Sequence, residues 1–491
     1  MFISKISINN FKCIKGKVDI QFNTPNGNQG SGLNLFVGDN NTGKSTIFEA
    51  FDFVKNGTKK EVKELLNKNT NDNNFFVEIV FVGDIESVIN TYAQANKKEL
   101  LNKLIYEENN QTYLRVRRSS DETSKIFIWN KETDNFENPI GIDGVIKVLF
   151  ELDFIWADTN PEDISKFGAT TICGKLLGEI CKPFAADELF KSFQTAHKQV
   201  FNDKQNGLKS KLSKLADEVK SICNSQFGHI DLEFHFEELT IDKFYSNVKI
   251  KINDGVYTDM QEKGGGLQRA VALAMLQVYA NTIKCNSKAI TKKPFFLFID
   301  EPEICLHPQA QFSLIESLIN LTCEGQVFIN THSPYIVKKA MTNNQNKLLI
   351  TKKENDTITI QEAGFTNLFG RFSPTWGEVN YFAYNHATHD FHDDLYGYLC
   401  KKHKEFFIQS GKDEKDFNQT KFEIELEKFG IVRNINWIDD RKNKNTGLNL
   451  QYPVTICTYI RNTIHHPENN LNIAFTESQF FQSIQEMLKL I

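Results

Sequence analysis

Apolar residues cluster in short continuous runs at three places along the chain. The runs are Leu33–Val37, Phe295–Ile299 and the start of the segment "QVFINTHSPYIV", a predicted strand that ends in Thr331 and His332. A run of this length bounded by turn residues is typical of a parallel strand that is buried on both faces. The N-terminal "MFISKISINNFK" instead alternates polar and apolar residues, which predicts a half-exposed strand. The chain is therefore expected to form an α/β fold around a mixed sheet.

Between the first two runs, more strands and a helical segment are predicted. The segments "FFVEIVFVG", "QTYLRVRR" and "SKIFIWN" are typical of an antiparallel sheet in the same lobe. One of these strands carries three arginines, which predict a solvated face or, alternatively, a nucleic-acid or partner contact: Arg115, Arg117 and Arg118. Further on, leucines and other apolar residues recur at alternating spacings of four and three. They predict a short helical arm at about residues 187–227, because two heptads are too few for a long coiled coil.

The last third of the chain changes character. The first domain is expected to end near residue 350, and residues 351–372 are expected to form a linker. Residues 373–491 predict a mostly α-helical domain. Its first helix is expected to be capped by Ser373, and its last helix opens on a capping box formed by Thr476 and Gln479.

Composition narrows the class of protein. The 491 residues carry a net charge of -5, so nucleic-acid binding over the whole surface is excluded, although local basic patches are not. The nine cysteines form no C-x-x-C pair, which disfavours a metal or disulfide framework and fits a reducing cytoplasm. No apolar run approaches the ~20 residues that cross a bilayer, and the N-terminal segment lacks the long apolar core that is expected of a signal peptide. A cytoplasmic protein without a membrane partner is predicted.

The first apolar strand leads into a phosphate-binding loop. The sequence "GDNNTGKS" matches G-x-x-x-x-G-K-[ST], lies between a predicted strand and a predicted helix, and begins at Gly38. In such loops backbone N–H groups curl around phosphate oxygens, the lysine reaches the β- and γ-phosphates, and the hydroxyl after it binds Mg²⁺. The candidate ATP-binding residues are Gly38, Asn41, Gly43, Lys44, Ser45 and Thr46.

Two acids and a histidine follow the other apolar strands. Asp300 and Glu301 end the second strand, and His332 ends the third. Since the carboxyl ends of parallel strands share one edge of a sheet, these residues are expected beside the phosphate loop. Asp300 is predicted to hold Mg²⁺ together with Ser45, and Glu301 to polarise the attacking water. His332 is predicted to contact the γ-phosphate.

A glycine cluster precedes another predicted helix. Gly264, Gly265 and Gly266 stand just before Gln268 in "EKGGGLQRAVALAML". A glycine-rich helix start can present N–H groups to a phosphate, but it can equally be a helix entry packed tightly against a strand.

Taken in chain order, the phosphate loop, the glycine cluster, the acidic pair and the histidine resemble the motifs of the ABC-type ATPases. The resemblance is to the group related to RecF, Rad50 and the OLD proteins in particular. The strings "ISINNFKCIKG", "DEPEICLHP" and "NTHSP" carry the resemblance, which spans about residues 1–350. It implies a homodimer or higher homo-oligomer in which two chains enclose ATP. It also implies that Gly265, Gly266 and Gln268 complete the partner's site.

The chain departs from this family at two points. A glycine stands where the family's signature serine is expected, so the hydroxyl that donates to the γ-phosphate is missing and hydrolysis is expected to be slow. The glutamine loop has no clear counterpart, and the segment "FIWADTNPEDISKFG" is where it is expected. A TOPRIM nuclease is also disfavoured, because the second domain contains no D-x-D.

The predicted helix "YPVTICTYIRNTIHHP" carries the strongest chemical pattern of the second domain. Ile456, Ile460 and Ile464 form its buried stripe, and Pro467 predicts that the helix ends near His466. An imidazole can move a proton between a 2'-hydroxyl and a leaving oxygen, and an arginine can stabilise the charge on phosphorus. Arg461 and His466 therefore form a candidate RNA-cleaving pair. The alternative is a buried polar network or a partner contact.

The pattern R-N-x-x-x-H, formed by Arg461, Asn462 and His466, also resembles the active-site motif of the HEPN ribonucleases, small helical domains that usually dimerise. The resemblance implies that Asn462 belongs to the active site and that Glu378 is an accessory acid. Together the two resemblances imply an ATP-gated antiphage defence effector with a metal-independent ribonuclease, RNA and in particular tRNA being the expected substrate. Two alternatives stay open. One is an ATPase scaffold that positions a separately encoded nuclease, as Septu-type ATPases do, and the other is a RecF-like DNA-repair ATPase. A phage-derived trigger is a further expected partner.

Overall fold

The computed structural model describes residues 1–159, 174, 177–178, 181, 184–202, 207–227, 240, 248–286, 294–363, 368–442 and 446–491. Within these residues seventeen strands and fifteen α-helices are distinguished. No helix in the described part of the chain is long and apolar enough to span a membrane.

The strands are numbered in chain order: β1 Phe2–Asn9, β2 Lys17–Gln21, β3 Leu33–Val37, β4 Phe76–Val82, β5 Tyr106–Glu108, β6 Gln111–Ser119, β7 Phe127–Asn130, β8 Asn135–Glu137, β9 Glu151–Ile155, β10 Lys251–Asn253, β11 Tyr257–Asp259, β12 Phe295–Asp300, β13 Gln326–Asn330, β14 Lys347–Glu354, β15 Thr357–Glu362, β16 Ile435–Lys442 and β17 Asn449–Val454.

The helices are numbered likewise: α1 Lys44–Asn56, α2 Val62–Leu65, α3 Ile85–Tyr92, α4 Ala95–Leu104, α5 Ile142–Leu149, α6 Glu188–Asn202, α7 Leu208–Phe227, α8 Gly265–Asn286, α9 Pro308–Leu321, α10 Pro334–Met341, α11 Trp376–Tyr384, α12 His389–Gln409, α13 Gln419–Lys428, α14 Ile456–His465 and α15 Glu477–Leu488.

The chain divides into two compact units. The first unit combines Met1–Leu152, Pro294–Glu301 and Thr322–Ile491. The second combines Asp153–Lys293 with Pro302–Leu321, so the boundary falls inside β9. The helical C-terminal part thus belongs to the same compact unit as the phosphate loop.

A mainly parallel sheet lies at the centre of the first unit. Its strands follow the order β15-β14-β3-β13-β12, with only β15 antiparallel to its neighbour. The register pairs Asp300 with Asn330, and Ile350 with Val37, so the carboxyl ends of the parallel strands meet at one edge. The three apolar runs are β3, β12 and β13, and their burial confirms the predicted parallel strands.

Aromatic packing fixes the helix that follows the phosphate loop against this sheet. The rings of Phe298 on β12 and Phe328 on β13 stack with centroids 4.5 Å apart. The ring of Phe51 on α1 packs 4.8 Å from that of Phe298. All three side chains are fully buried, and burial of each ring stabilises the fold by roughly 1.5–3 kcal/mol.

The segment expected to be a linker, residues 351–372, is largely part of this sheet. Residues 351–354 complete β14, and Thr357–Glu362 form β15, which returns along β14 as a hairpin. The alternation in "TITIQE" places Ile358 in the core with 1% of its surface exposed. The sheet therefore extends past residue 350, and the connection to the helical part is correspondingly shorter.

The predicted antiparallel sheet is also present. Its order is β2-β1-β4-β6-β7-β8, and β5 pairs with β6. Arg115 and Arg117 on β6 form ion pairs with Glu78 on β4 at 2.8 and 2.7 Å. Arg118 is fully buried and donates to the carbonyls of Val54 and Thr123. Neighbouring residues on a strand face opposite sides, so the predicted solvated face does not extend to Arg118.

The C-terminal part is mostly helical, as predicted, and includes one hairpin, β16–β17. Helices α11, α12, α14 and α15 pack around a common apolar core that includes Phe391, Leu395, Leu399, Phe422, Ile456, Ile460, Phe480, Ile484 and Met487. The capping box of Thr476 and Gln479 is present. Thr375, rather than Ser373, caps α11, because its hydroxyl accepts from the Glu378 amide at 3.2 Å.

The second unit contains the predicted helical arm as two helices. α6 and α7 cover most of residues 187–227 and pack against each other. The hairpin β10–β11 and the helices α8 and α9 complete the described part of this unit. Most of the segment in which the glutamine loop is expected lies outside the described residues. The observed fold confirms the predicted α/β class, with a mixed sheet, a short helical arm and a mostly α-helical C-terminal part.

Candidate functional site

The phosphate loop connects β3 to α1. Gly38 and Gly43 have φ angles of 152° and 87°, which side-chain-bearing residues rarely adopt. A Cβ on Gly38 would lie 2.2 Å from the carbonyl oxygen of Thr351, so the backbones also approach too closely for a side chain. Lys44 begins α1, and its Nζ donates to the carbonyls of Gly38 at 2.9 Å and Asp39 at 2.8 Å. The lysine is thereby held across the loop mouth, where phosphate oxygens are expected.

The other residues predicted in the loop have different surroundings. Asn41 is exposed and adopts a φ of 62° at the tip of the loop. The Thr46 hydroxyl is buried in α1 and accepts from the thiol of Cys13 at 3.1 Å. Thr46 therefore links the loop helix to the N-terminal segment in addition to following the phosphate-binding residues.

A hydroxyl and a carboxylate meet next to the loop. Ser45 Oγ donates to Asp300 Oδ2 at 3.0 Å, and Asn330 Nδ2 donates to Asp300 Oδ1 at 2.9 Å. Burial raises the pKa of Asp300, although the hydrogen bonds from Asn330 and Ser45 oppose the rise. Magnesium prefers hard oxygen ligands of these two types. Ser45 and Asp300 therefore fit the predicted magnesium site, at which the cation would neutralise phosphate charge.

The predicted catalytic residues of the ATPase lie together. His332 Nε2 is 3.8 Å from Glu301 Oε1, across the ends of neighbouring strands. The Glu301 amide donates to the Asn330 carbonyl at 2.9 Å, which fixes its backbone beyond the strand end at a φ of 47°. Burial, and then the nearby charge of Lys44, lower the pKa of His332. At neutral pH its imidazole is therefore uncharged and can offer one donor and one acceptor.

One residue of this site carries no signal in the sequence. Thr351 lies fully buried on β14, and its hydroxyl is 2.7 Å from that of Thr42 in the phosphate loop. It also donates to the Val37 carbonyl at 3.1 Å. Only the pairing of β14 with β3 brings Thr351 to the loop, and such a pairing of distant segments is not visible in a local motif.

The glycine cluster lies in the second unit, at the start of α8. A Cβ on Gly266 would lie 2.6 Å from the carbonyl oxygen of Cys305, so Gly266 permits a close backbone approach. Gln268 is 7% exposed and donates to the carbonyls of Lys263 and Gln261 at 2.7 and 3.2 Å. A Cβ on Gly265 would meet no atom within 4 Å. Gly266 and Gln268 thus stabilise the helix entry, whereas Gly265 leaves room for an incoming group.

In the C-terminal part, α14 ends at His465, as Pro467 predicts. Asn462 is 3% exposed, and its Oδ1 accepts from Gln419 Nε2 at 3.0 Å and Arg461 Nη1 at 3.2 Å. The motif predicts a catalytic Asn462, but in the structure this amide is buried and joins α14 to α13. Its contacts support the fold and orient Arg461.

The structure separates the two adjacent histidines. Arg461 and His465 line a cleft of about 520 Å³ along α12, together with Asp393, Tyr396, Gly397, Cys400, Lys401 and Lys404. The catalytic candidate His466 is exposed outside this set, and its Nδ1 lies 3.4 Å from Glu468 Oε1. The structure therefore brings Arg461 together with His465 rather than with His466.

The accessory acid predicted in this domain is occupied elsewhere. Glu378 is 1% exposed, and its carboxylate accepts from the Thr375 amide at 2.5 Å and from the Ser373 hydroxyl at 3.0 Å. These bonds complete the cap of α11. Glu378 therefore stabilises the helix start and does not line the cleft.

The phosphate loop lies between a strand and a helix, and a hydroxyl–carboxylate pair and a glutamate–histidine pair lie at the same edge of the sheet. This combination is typical of a P-loop ATPase. The chain belongs to the AAA ATPase domain family, whose model matches residues 1–337. It is also similar to the Old nuclease of Escherichia phage P2, with 28% identity over 373 residues. That match covers 72% of this chain, which spans only 60% of the length of the relative.

Solved structures show more distant likenesses. An SMC head bound to the C-terminal winged-helix domain of ScpA has 14% identity and a TM-score of 0.44, over 74% of this chain and 98% of that one. An SMC head with an extended coiled coil, bound to the C-terminal domain of ScpA derived from Pyrococcus furiosus, has 17% identity and a TM-score of 0.41. That likeness covers 75% of this chain and 98% of the other.

Proposed function

We propose that the chain is an ATP-gated effector of antiphage defence in which the ATPase core controls a ribonuclease site in the helical C-terminal part. The observation that carries the proposal is the cleft of about 520 Å³ that places Arg461 and His465 beside two lysines. The similarity to the Old nuclease also favours a nuclease function. RNA, with tRNA as a candidate, is the proposed substrate.

ATP is proposed to bind at the phosphate loop with Lys44 on its β- and γ-phosphates and with Mg²⁺ on Ser45 and Asp300. Glu301 orients the attacking water, and His332 donates to the γ-phosphate. Two chains enclose ATP, and the open face at Gly265 receives the partner's phosphate. Because a glycine replaces the donor serine, turnover is slow and ATP acts mainly as a ligand that sets the state of the protein.

Within the first unit, contacts lead from the phosphate loop to α11, which packs against the cleft helix α12. Thr351 on β14 contacts the phosphate loop, and the Nζ of the adjacent Lys352 lies 5.5 Å from the ring centroid of Phe382 on α11. A change in the loop on nucleotide binding can therefore act on α11 through a single strand. This contact supports gating by ATP.

The test compares wild type with Arg461→Ala and Lys44→Ala in cells, with sequencing of cleaved RNA and purification of each protein. We expect wild type to cleave RNA and both variants to leave it intact. Arg461→Ala should retain ATP turnover, whereas Lys44→Ala should lose ATP binding. If Arg461→Ala is folded and cleaves as wild type does, the ribonuclease proposal fails and an ATPase scaffold for a separate nuclease takes its place.

A further inference from the structure

One face of α12 and the end of α14 bring a carboxylate, an imidazole and several cations together. His465 Nε2 lies 3.2 Å from Asp393 Oδ2, and both side chains are partly exposed to the cleft. Asp393 Oδ1 is buried and, among the residues that the structure describes, has no hydrogen-bond partner. Arg461 and Lys401 line the same cleft. Its volume of about 520 Å³ lies in the range of roughly 300–1,000 Å³ that is typical of ligand sites.

The titratable side chains that line the cleft differ in their ability to move a proton near neutral pH. Burial raises the pKa of Tyr396 to about 12, and its hydroxyl lies 2.9 Å from that of Thr458. Burial also raises the pKa of the Cys400 thiol, although Lys404 and Arg461 oppose the rise. Tyr396 and Cys400 therefore stay protonated. The His465 ring lines the same cleft and carries one donor and one acceptor nitrogen when neutral, the combination that proton transfer requires.

Asp393 also determines which nitrogen of that ring can act as a base. A carboxylate next to Nε2 favours the proton on Nε2, and the lone pair then lies on Nδ1. The cations of Arg461 and Lys401 favour an anion in the cleft, and a phosphodiester has the matching charge. His466 lacks this arrangement, because its ring contacts Glu468 outside the cleft.

We infer that His465 is the proton-transfer residue of this cleft and that Asp393 is its positioning residue, on an RNA phosphodiester bound by Arg461 and Lys401. This inference rests on the ribonuclease function proposed above. His465 Nδ1 takes the proton of a 2'-hydroxyl, and that oxygen bonds to the adjacent phosphorus while the bond from phosphorus to the 5'-oxygen breaks. The same imidazole returns the proton to the 5'-oxygen. The products are a 2',3'-cyclic phosphate and a 5'-hydroxyl, and no other reactant is consumed.

The experiment uses the full chain with ATP, total cellular RNA as the probe, and a DNA oligonucleotide as the probe without a 2'-hydroxyl. His465→Ala should lower the cleavage rate by roughly 10²–10⁴-fold, the usual contribution of a general base. His466→Ala tests the competing assignment, and the exposed His386→Ala serves as the control. Product ends are analysed for the cyclic phosphate, and melting temperatures establish that each variant is folded.

Asp393→Asn should lower kcat with little change in KM, and Asp393→Glu should restore part of the rate, neither of which a purely structural role predicts. If His466→Ala loses activity and His465→Ala keeps it, the inference is overturned while the proposed function stands. Loss in both folded variants also overturns the assignment to His465. Equal cleavage of the DNA oligonucleotide refutes the role of the 2'-hydroxyl. If wild type leaves RNA intact, the proposed function and the inference both fail.

Discussion

The fully buried His392 makes the helical C-terminal part sensitive to acid. This residue lies on α12, its Nε2 is 2.9 Å from Ser483 Oγ, and its ring stacks on that of Phe480 at 5.6 Å. Burial, together with smaller contributions from the charges of His389 and His465, lowers the pKa of His392 from 6.5 to about 3. The folded domain therefore keeps this imidazole neutral over most of the acidic range.

The direction in which pH changes the stability follows from the number of protons that the folded and unfolded states bind. Between pH 6.5 and about pH 3 the unfolded chain protonates His392 and the folded chain does not. The unfolded state then binds more protons, so stability falls as the pH falls, by about 1.4 kcal/mol per pH unit. From pH 7 to pH 5 this one side chain lowers the free energy of unfolding by about 2 kcal/mol. This is equivalent to roughly a 30-fold rise in the unfolded population.

Hydrogen exchange measures this loss segment by segment, since a chain with two compact units need not unfold in one step. Protection of peptides from α12 and α15 is compared at pH 7 and pH 5, after correction for intrinsic rates. His392→Gln keeps a polar group for Ser483 but cannot titrate, so it should lose about 2 kcal/mol less than wild type between these pH values. The exposed His386→Gln should behave as wild type does. An identical pH dependence of His392→Gln and wild type would refute the reasoning.

Three further predictions concern the ATPase core. Glu301→Gln should bind ATP with unchanged affinity while phosphate release slows by roughly 10²-fold or more, and unchanged turnover would contradict its role. Thr351→Val removes the hydroxyl that contacts Thr42, so the ATP affinity measured by equilibrium binding should fall about 5-fold, equivalent to about 1 kcal/mol. An unaltered affinity would show that the loop holds its shape without this contact. Arg118→Leu removes the donors to the buried carbonyl of Val54 and the partly buried carbonyl of Thr123. It should lower the free energy of unfolding by about 2–4 kcal/mol in urea titrations, whereas Arg117→Leu, at a half-buried position, should cost clearly less.

The nucleotide site was largely predictable from the sequence, for a local reason. The phosphate loop is a contiguous motif, Asp300 directly follows one apolar run, and His332 follows another after Asn330 and Thr331. Because strands of a parallel sheet align their carboxyl ends, three separate segments can be placed at one edge without knowing the rest of the fold. The antiparallel strands and the last helix were predictable in the same way, from periodicity and caps.

The remaining features depend on contacts between segments that are distant in sequence, or on which residue ends a helix. Thr351 reaches the loop only through a strand pairing that joins residues far apart in the chain. Arg118 follows Arg117 on the same strand but faces the core. The choice between His465 and His466 rests on where α14 ends, because His465 is its last residue and lines the cleft, whereas His466 follows the helix with a φ of -124°. A sequence motif does not specify which of two adjacent residues ends a helix.

Both faces of β14 make contacts, and this limits where the chain can be joined to a related protein in a chimera. Thr351 and Lys352 are neighbours on one strand and point to opposite faces, one toward the phosphate loop and the other toward Phe382. A chimera joined at residue 350 would divide the strand and replace both contacts at once. Inserting or deleting one residue in β14 would exchange the two faces. Exchange of the C-terminal part between relatives therefore calls for a junction beyond Glu362, where the hairpin is complete.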